Sequence, residues 1–351
     1  MDISKFDYYL PKNLIAQKPL VKRDNAKLLV VDRKSKFITS KHFYDLPEIL
    51  TSNDVLVLNK TKVFPARIFG KKETGGKIEI LLCKKVSKNT WDVMTKPAIK
   101  TGTKVSFGLF SGIKIADYHE ISRVQFSINY NKLYRYLDII GHTPIPPYIH
   151  SKDSEKNLRN IYQTVYAKSQ GSIAAPTAGF HFTKELLSKL RKKGIQIEYI
   201  TLHVGLGTFA PIKERDILKH KIHSEYFELD IKTAESLNRL KNEGKRIIAV
   251  GTTATRVLET CSNNKGMLKE KKGETEIYIY PSYKFKFVDG LITNFHLPKT
   301  TLLALVSAFV SFPNTKKKFT DFDSSLIGEG YKKAIKENYR FYSFGDSSII
   351  L

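Results

Sequence analysis

The chain has 351 residues, a formal net charge of +25 at pH 7 and a hydrophobic fraction of 41%. This hydrophobic content excludes a disordered chain, and the length predicts more than one domain. The excess of 59 basic over 34 acidic residues favours a polyanionic partner such as nucleic acid, although a lysine-rich composition explains the same count.

The sequence lacks the patterns of membrane insertion, secretion and metal binding. No apolar run reaches the roughly 18 residues of a membrane-spanning helix, and the first segment, MDISKFDYYLPKN, has no apolar signal core. The two cysteines, Cys83 and Cys261, provide neither a disulfide framework nor a zinc ligand set. We therefore expect a cytoplasmic monomer that has no metal, no membrane association and no obligate protein partner.

The first half of the chain predicts a strand of a large sheet followed by a small β domain. DVLVLN (54–59) is a short apolar run typical of a strand buried on both faces. From residue 63 onward, short β-rich segments are separated by Gly, Asn and Lys turns, which predicts a small barrel. HTPIPPYI (142–149) reads as a proline-stiffened linker after the barrel.

From about residue 160 onward, helical and strand patterns alternate. TKELLSKLRKKG (183–194) and TAESLNRLKNEG (233–244) predict helices with Thr183 and Thr233 as N-caps, and each is followed by an apolar strand. Such alternation favours a mainly parallel sheet with helices on both faces. We predict an α/β main domain with a mainly parallel sheet, interrupted by an inserted small β-barrel domain. The predicted boundaries are 1–62 and 152–351 for the discontinuous main domain, and 63–151 for the barrel.

Three segments place one histidine among apolar, small and hydroxyl residues: IAAPTAGFHFT (173–183), ITLHVGLGTFAPI (200–212) and LITNFHLPKTT (291–301). His203 falls where a predicted strand ends, which is where open α/β sheets bind ligands, and the glycines after it allow a ligand to approach the backbone. A proline turn and a tight strand-exit loop explain the first two segments equally well.

Two further segments are candidates for ligand binding. GTTATR (251–256) lies between a predicted strand and helix, so its N–H groups, hydroxyls and Arg256 suit a carboxylate or phosphate. A helix cap with an outward arginine is the alternative. HKIHSEYFEL (220–229) contains His223 and Ser224, but it has neither the H-E-x-x-H frame of a zinc site nor a G-x-S-x-G hydrolase elbow.

The chain resembles the S-adenosylmethionine:tRNA ribosyltransferase-isomerases of queuosine biosynthesis. The resemblance rests on segments spread in order over nearly the whole chain: FDYYLPKNLIAQKP, VLVLNKTKVFPARIFG, GGKIEILL, GHTPIPPYI, YQTVYA, AAPTAGFHF, TLHVGLGTF, HSEYFEL, RIIAVGTTATRVLE, IYIYP, TNFHLPKTTLLALVSAF and YRFYSFGDSSII. It implies an α/β domain interrupted by a β-barrel. It also implies transfer of the ribosyl moiety of S-adenosylmethionine to 7-aminomethyl-7-deazaguanine at the tRNA wobble position, with release of adenine and methionine.

In this reaction S-adenosylmethionine is a consumed ribosyl donor. The sulfonium acidifies the neighbouring C5′ hydrogens, so a base is required, and histidine is the usual residue for that task. We expect four titrating histidines, among which the sequence does not identify the base: His203, His181, His223 and His296.

The resemblance also implies the residues that contact the two substrates. Those expected at S-adenosylmethionine are Ala175, Pro176, Thr177, Gly179, Gly205, Gly207, Thr208, Thr252, Thr253, Arg256 and Asn294. Within this set, Thr252, Thr253 and Arg256 are expected at the methionine carboxylate, and Asn294 at the adenine or ribose. Tyr342 and Asp346 are expected to close the site. The residues expected at RNA are Lys60, Lys62, Arg67, Lys71 and Lys72.

Three other functions are alternatives at this stage. A non-catalytic RNA-binding protein would use the barrel and the charge but would not release adenine. An S-adenosylmethionine-dependent RNA methyltransferase would add only a methyl mass. A serine hydrolase would react with active-serine probes.

Overall fold

The structure is a computed structural model that describes residues 1–118, 121–205 and 212–351. Within these residues it has a nine-stranded sheet, a closed six-stranded barrel and a two-stranded sheet. None of the helices in these residues is both long enough and apolar enough to cross a bilayer.

The nine-stranded sheet of the described chain is mixed. Its strands are, in spatial order, β15 (Lys271–Thr275), β13 (Glu225–Leu229), β12 (Gln196–Leu202), β3 (Asp54–Asn59), β14 (Arg246–Val250), β16 (Gly290–Asn294), β17 (Ser347–Ile350), β1 (Lys27–Val31) and β2 (Ile38–His42). The four central strands from β12 to β16 run parallel, as do β17 and β1, and the remaining pairs are antiparallel. The predicted α/β class is therefore confirmed, with the parallel pairing concentrated at the centre of the sheet.

Alternate residues of the central strands face two different helix layers. On β3, Val55 and Val57 belong to one apolar core, whereas Leu56 and Leu58 belong to the other. The helices of the first layer are α5 (Ile231–Asn242), α6 (Gly251–Cys261), α7 (Thr301–Phe309) and α8 (Leu326–Lys336). The helices of the second layer are α1 (Leu46–Ile49) and α4 (Lys184–Lys192). Burial on both faces explains why β3 is apolar along most of its length.

The helix starts agree with the sequence in one case and differ in another. Thr183 caps α4 by accepting a hydrogen bond from the N–H of Leu186, as predicted. The prediction of Thr233 as a cap is wrong, because α5 begins one turn earlier and Asp230 is its cap. The Asp230 carboxylate accepts the N–H of Thr233, so the threonine lies inside the first turn.

The barrel forms the predicted inserted domain. Its strands in the described residues are β5 (Arg67–Lys72), β6 (Lys77–Lys85), β7 (Thr90–Lys96), β8 (Lys104–Ser106), β9 (Ser111–Tyr118) and β10 (Ile121–Phe126). They pair antiparallel throughout. Helix α2 (Tyr130–Ile140) packs Leu133 and Leu137 into the barrel core. The boundaries 63 and 151 remain predictions.

A two-stranded sheet lies where the chain enters and leaves the barrel. Strands β4 (Thr61–Val63) and β11 (Ser169–Ser172) pair in parallel, and α3 (Glu155–Ile161) precedes β11. Since β4 comes directly after β3, this small sheet joins the barrel to the centre of the main sheet.

Candidate functional site

A pocket opens at the carboxyl ends of β12, β14 and β16. It encloses about 590 Å³, its open mouth included. We call it the sheet-end pocket, and its lining residues are Tyr148, Ala175, Pro176, Thr177, Ala178, Val204, Gly251, Thr252, Thr253, Thr293, Asn294, Phe295, His296, Leu297, Thr300, Leu302, Tyr342 and Ser343. This position is where open α/β sheets bind ligands.

The first turn of α6 forms one wall of the sheet-end pocket. Gly251 turns the chain from β14 into the helix with φ +88°, a conformation that favours glycine. Val250, the cap residue, makes no side-chain capping bond, so the first N–H groups of the helix remain available. The Thr253 hydroxyl is buried and has no hydrogen-bond partner in the described residues. This wall therefore offers donors to an anionic or polar group.

Aromatic side chains form a second wall. The rings of Tyr148 and Tyr342 lie 5.2 Å apart at 64°. Burial raises the pKa of Tyr148 to about 12 and also raises the pKa of Tyr342, so both phenols are neutral at pH 7. Tyr342 has φ +69°, a strained conformation for a non-glycine residue at the edge of a pocket. Neutral aromatic faces of this kind attract cations.

Asn294 ties two pocket walls together. Its Oδ1 accepts a hydrogen bond from the Thr177 hydroxyl at 3.0 Å. Its Nδ2 lies 3.3 Å from His181 Nε2 and 3.3 Å from the Tyr342 carbonyl oxygen. The amide therefore fixes the segment around Thr177 against the segment around Tyr342.

Asp346 lies behind that second segment rather than in the pocket. Its buried carboxylate accepts the N–H groups of Lys27 and Arg340 at 3.1 and 2.8 Å. It thereby braces the turn that carries Tyr342 against β1.

Among the described residues, His296 is the one predicted histidine that lines the sheet-end pocket. Its Nε2 lies 2.8 Å from the Thr293 hydroxyl, and burial lowers its pKa to about 3. His181 lies behind Asn294, where burial, followed by the charges of Arg340 and Arg23, lowers its pKa to about 3. Both rings are therefore neutral at pH 7.

His203 does not line this pocket, and its ring lies against strand β4 of the two-stranded sheet. Its Nδ1 lies 2.8 Å from the Thr61 hydroxyl, and its ring stacks on Tyr226 with centroids 5.5 Å apart. Burial lowers its pKa to about 4. Gly171 packs so closely on the ring that an added Cβ would lie 2.5 Å from Nε2.

A second pocket, of about 430 Å³ with its mouth included, contains the exposed His223 and the buried Arg256. The Arg256 guanidinium forms a buried ion pair with Glu225. Glu225 Oε1 also accepts the N–H of Gly205 at 2.7 Å, so this pair holds the chain that leaves β12. Leu302 lines both pockets and places them side by side.

The structure divides the residues expected at S-adenosylmethionine. Those at the sheet-end pocket are Ala175, Pro176, Thr177, Thr252, Thr253 and Asn294. Gly179 lies outside it, packed so closely under Tyr166 that a Cβ would lie 2.0 Å from the phenol oxygen. Gly207 and Thr208 lie outside the described residues.

Sequence reasoning missed several residues that line the pocket. Tyr148 was part of a predicted linker, although an aromatic residue directly after a rigid proline run is a recognisable signal. Ser343 holds Tyr148 through a hydroxyl contact of 2.6 Å, and nothing in its sequence context indicates this.

The residues expected at RNA lie on the barrel and on the segment that leads into it from β3. Lys62 and Lys71 are exposed, whereas Lys60 lies 3.9 Å from Asp230. Arg67 Nε lies 2.9 Å from Glu79 Oε1 on the outer surface of the barrel. Lys72 follows Lys71 at the end of β5.

Comparisons with known proteins agree with this architecture. A family model described as a queuosine biosynthesis protein matches residues 3–350. A Clostridioides difficile (strain 630) protein named S-adenosylmethionine:tRNA ribosyltransferase-isomerase is 46% identical over 355 residues that cover 100% of both chains. A crystal structure of an S-adenosylmethionine tRNA ribosyltransferase from Thermotoga maritima has 33% sequence identity and a TM-score of 0.55, and the match covers 99% of this chain and 100% of that chain.

Proposed function

The chain belongs to the family of queuosine biosynthesis proteins, and from that premise we propose that it catalyses the reaction of an S-adenosylmethionine:tRNA ribosyltransferase-isomerase. The enzyme transfers and isomerises the ribosyl moiety of S-adenosylmethionine onto 7-aminomethyl-7-deazaguanine at the wobble position of tRNA. The product is epoxyqueuosine-tRNA, and adenine and methionine leave.

The observation that carries this proposal is the chemistry of the sheet-end pocket. The uncapped start of α6 and the unpartnered Thr253 hydroxyl suit the methionine carboxylate, with Thr252 beside them. The neutral rings of Tyr148 and Tyr342 suit a sulfonium. Ala175 is small enough for a flat adenine to pack closely against the backbone.

Within this pocket His296 is our candidate for the base that removes a C5′ proton. His296 lines the pocket with a ring that is neutral at pH 7, and Thr293 orients that ring through Nε2. Loss of the proton from the carbon beside the sulfonium allows adenine to leave, and adenine takes up a proton as it departs. The amine of the deazaguanine then attacks the sugar and loses a proton, and methionine leaves with the electron pair of the carbon–sulfur bond.

Arg256 contributes indirectly in this proposal. Since Glu225 neutralises its charge, the pair positions Gly205 and the chain that leaves β12. His181 and His203 are neutral packing partners of the same region, and His223 lies at the neighbouring pocket.

Basic residues of the barrel are proposed to bind the tRNA phosphates. Lys71 is exposed on barrel strand β5, and Lys62 is exposed on strand β4, which leads into the barrel. Contacts of this kind supply affinity that weakens with salt.

The test uses purified protein, S-adenosylmethionine and a tRNA that carries 7-aminomethyl-7-deazaguanine at the wobble position. We expect free adenine that depends on this tRNA, together with a ribosyl-derived gain in the mass of the nucleoside. Folded protein that binds both substrates without releasing adenine would contradict the proposal.

A hydroxyl deletion links the reaction to the pocket. We expect Thr253→Val to weaken S-adenosylmethionine binding about tenfold, since a hydrogen bond to a charged group is lost from a site of unchanged shape. Thr233→Val is the matched control, because Thr233 is buried on α5 and does not line the pocket.

A further inference from the structure

A third cavity lies between the barrel and the main domain and encloses about 850 Å³, its open mouth included. One wall is the outer face of the barrel, where Leu81 and Met94 provide an apolar surface. The opposite wall is the linker 144–147, which contains three prolines. We call this cavity the interdomain cleft, and its two apolar walls suit the faces of a flat ring.

The interdomain cleft is adjacent to the sheet-end pocket. Ala174 and Val204 form an isolated antiparallel bridge. Ala174 and Gly205 line the cleft, whereas Ala175 and Val204 line the sheet-end pocket. The two cavities therefore lie on either side of one thin layer of small residues.

The barrel face that leads into the cleft combines an aromatic ring, cations and a carboxylate. The strand register pairs Arg67 with Leu81, Phe69 with Glu79, Lys71 with Lys77, and Glu79 with Lys96. Phe69 is 53% exposed, and its ring lies 5.1 Å from the ring of His142 at 76°. An exposed ring among lysines is typical of a surface that stacks bases and binds phosphates.

Glu79 is the carboxylate of the cleft, and Arg67 lies beside it. Arg67 Nε is buried and lies 2.9 Å from Glu79 Oε1, but within the described residues it donates no aligned hydrogen bond. Arg67 Nη2 donates to the carbonyl oxygen of Ile145 at 3.3 Å, which ties the barrel to the linker. The pair thus presents an acceptor and a donor side by side at the cleft.

We propose that the interdomain cleft binds the wobble base of the tRNA and that Glu79 and Arg67 read its guanine edge, an inference that rests on the proposed function. A guanine or 7-deazaguanine edge presents N1–H and the 2-amino group as donors beside the O6 acceptor. The Glu79 carboxylate accepts from the two donors, and Arg67 donates to O6. An adenine edge presents the opposite order and is rejected, because it would leave the carboxylate without donors.

The test compares anticodon stem–loop RNAs that carry guanine or hypoxanthine at the wobble position, since hypoxanthine lacks only the 2-amino group. We expect the wild-type protein to bind the guanine RNA about tenfold more tightly. Glu79→Gln should reduce this preference to about twofold or less, because one carboxylate oxygen is replaced by an NH2 group that cannot accept from the base. Its affinity for S-adenosylmethionine should not change.

Two variants separate base reading from charge and from fold. Glu73→Gln makes the same change of charge at an exposed barrel site, and it should keep the guanine preference. Met94→Trp fills the cleft, and it should lower the affinity for both RNAs about tenfold or more without affecting S-adenosylmethionine binding. A guanine preference that survives Glu79→Gln, or normal RNA binding by Met94→Trp, would overturn the assignment.

The same preparations distinguish this inference from the proposed function. Guanine preference that depends on Glu79, in a protein that releases no adenine, would reject the reaction and leave the base-reading assignment intact. Release of adenine without any guanine preference would reject the cleft assignment alone.

Discussion

At the scale of single residues, the hydrogen bonds that a polar group of the pocket already makes determine which of its donors and acceptors remain for a ligand. The Asn294 amide already bonds Thr177 and lies within reach of His181 and the Tyr342 carbonyl. Its two donors are therefore engaged, and only a lone pair of Oδ1 remains for a ligand. The Thr253 hydroxyl is unpartnered among the described residues, so it gains more from a ligand than Asn294 does.

Replacement of the proposed base tests the chemistry directly. We expect His296→Gln to lower the rate of adenine release by roughly 10²- to 10⁴-fold, because a positioned base contributes about that much. Single-turnover measurement with saturating substrates isolates this step, and S-adenosylmethionine affinity should stay within about threefold. The exposed His223, replaced by Gln, is the matched control. An unchanged rate for His296→Gln would exclude it as the base.

The neutral buried histidines predict how stability depends on pH. His181 and His296 titrate near pH 3 when folded and near the ordinary value of 6.5 when unfolded. The unfolded state therefore binds the additional protons between these values. The contribution of these two histidines to the free energy of unfolding should be constant well above pH 6.5 and should fall below it, by up to about 1.4 kcal/mol per pH unit for each histidine.

Urea unfolding at a series of pH values from 7 to about 4.5 measures this slope. His181→Gln should reduce the slope by about one proton, whatever its effect on stability at pH 7. An equal slope in the variant would mean that His181 has the same pKa in the folded and unfolded protein, which would contradict the lowered value.

The sequence predicted which segments contribute to the pocket better than it predicted the contacts of each side chain. Thr253 and His296 stand out because each lies in a segment of small and hydroxyl residues that follows a strand. The orientation of His203 was not predictable, since the residues that hold it, Thr61 and Tyr226, come from distant parts of the chain. The pairing of Arg256 with Glu225 is equally long-range.

At the scale of elements, the junction between β14 and α6 determines the shape of the sheet-end pocket. Strand β14 ends at Val250, and the left-handed Gly251 that follows begins α6 at once, which brings the first N–H groups of the helix to the sheet edge. Because Ala178 approaches to 3.6 Å of the position of a Cβ at Gly251, the two pocket segments are held close together.

A pair of glycine variants separates backbone strain from pocket function. Gly251→Ala and Gly244→Ala both place alanine at a positive φ, +88° and +81°. Each should destabilise the fold by about 1–3 kcal/mol. Only Gly251→Ala should also weaken S-adenosylmethionine binding, because Gly244 lies after α5 and away from the pocket. Calorimetric titration measures the affinity, and thermal unfolding measures the stability. Equal affinities of the two variants for S-adenosylmethionine would refute a role for this turn in binding.

Element boundaries illustrate what local signals can and cannot predict. The cap of α4 was predictable because Thr183 is followed by a helical apolar pattern and a terminal glycine. For α5 the pattern was the same, but Asp230 is the stronger cap and lies one turn earlier. Tyr148 directly follows a rigid proline run, which is a local signal, but its place in the pocket depends on how that linker packs.

At the scale of the whole molecule, the net charge of +25 makes ionic strength the main control of RNA affinity. The slope of log affinity against log salt is negative, and we expect its magnitude to decrease by about one for each phosphate-contacting lysine that is removed. Lys71→Gln with Lys72→Gln should therefore reduce the magnitude of the slope by about two. Filter binding at several salt concentrations provides the measurement.

The control for this slope is a double variant of equal charge in the helix layer. Lys232 and Lys336 are exposed on α5 and α8. Their replacement by Gln should leave the slope nearly unchanged if the barrel carries the RNA surface, and an equal decrease in both double variants would indicate a diffuse charge effect.

The insertion of the barrel was predictable because the pattern of predicted elements changes from α/β to β-rich and then back to α/β. A strand of the α/β type precedes the β-rich region, and more of them follow it. The order of strands was not predictable, because β3 pairs with β12 and β14, which lie far along the chain, and no local pattern encodes such partners.

The place of β17 has a consequence for how the chain is made. This strand follows every other strand of the main sheet in the sequence, yet it lies between β16 and β1. Until β17 has been synthesised, strand β1 of the β1–β2 hairpin and strand β16 each have one edge without a hydrogen-bonding partner. The sheet becomes continuous only when Ser347–Ile350 inserts between them, so its completion joins segments that are far apart in the chain.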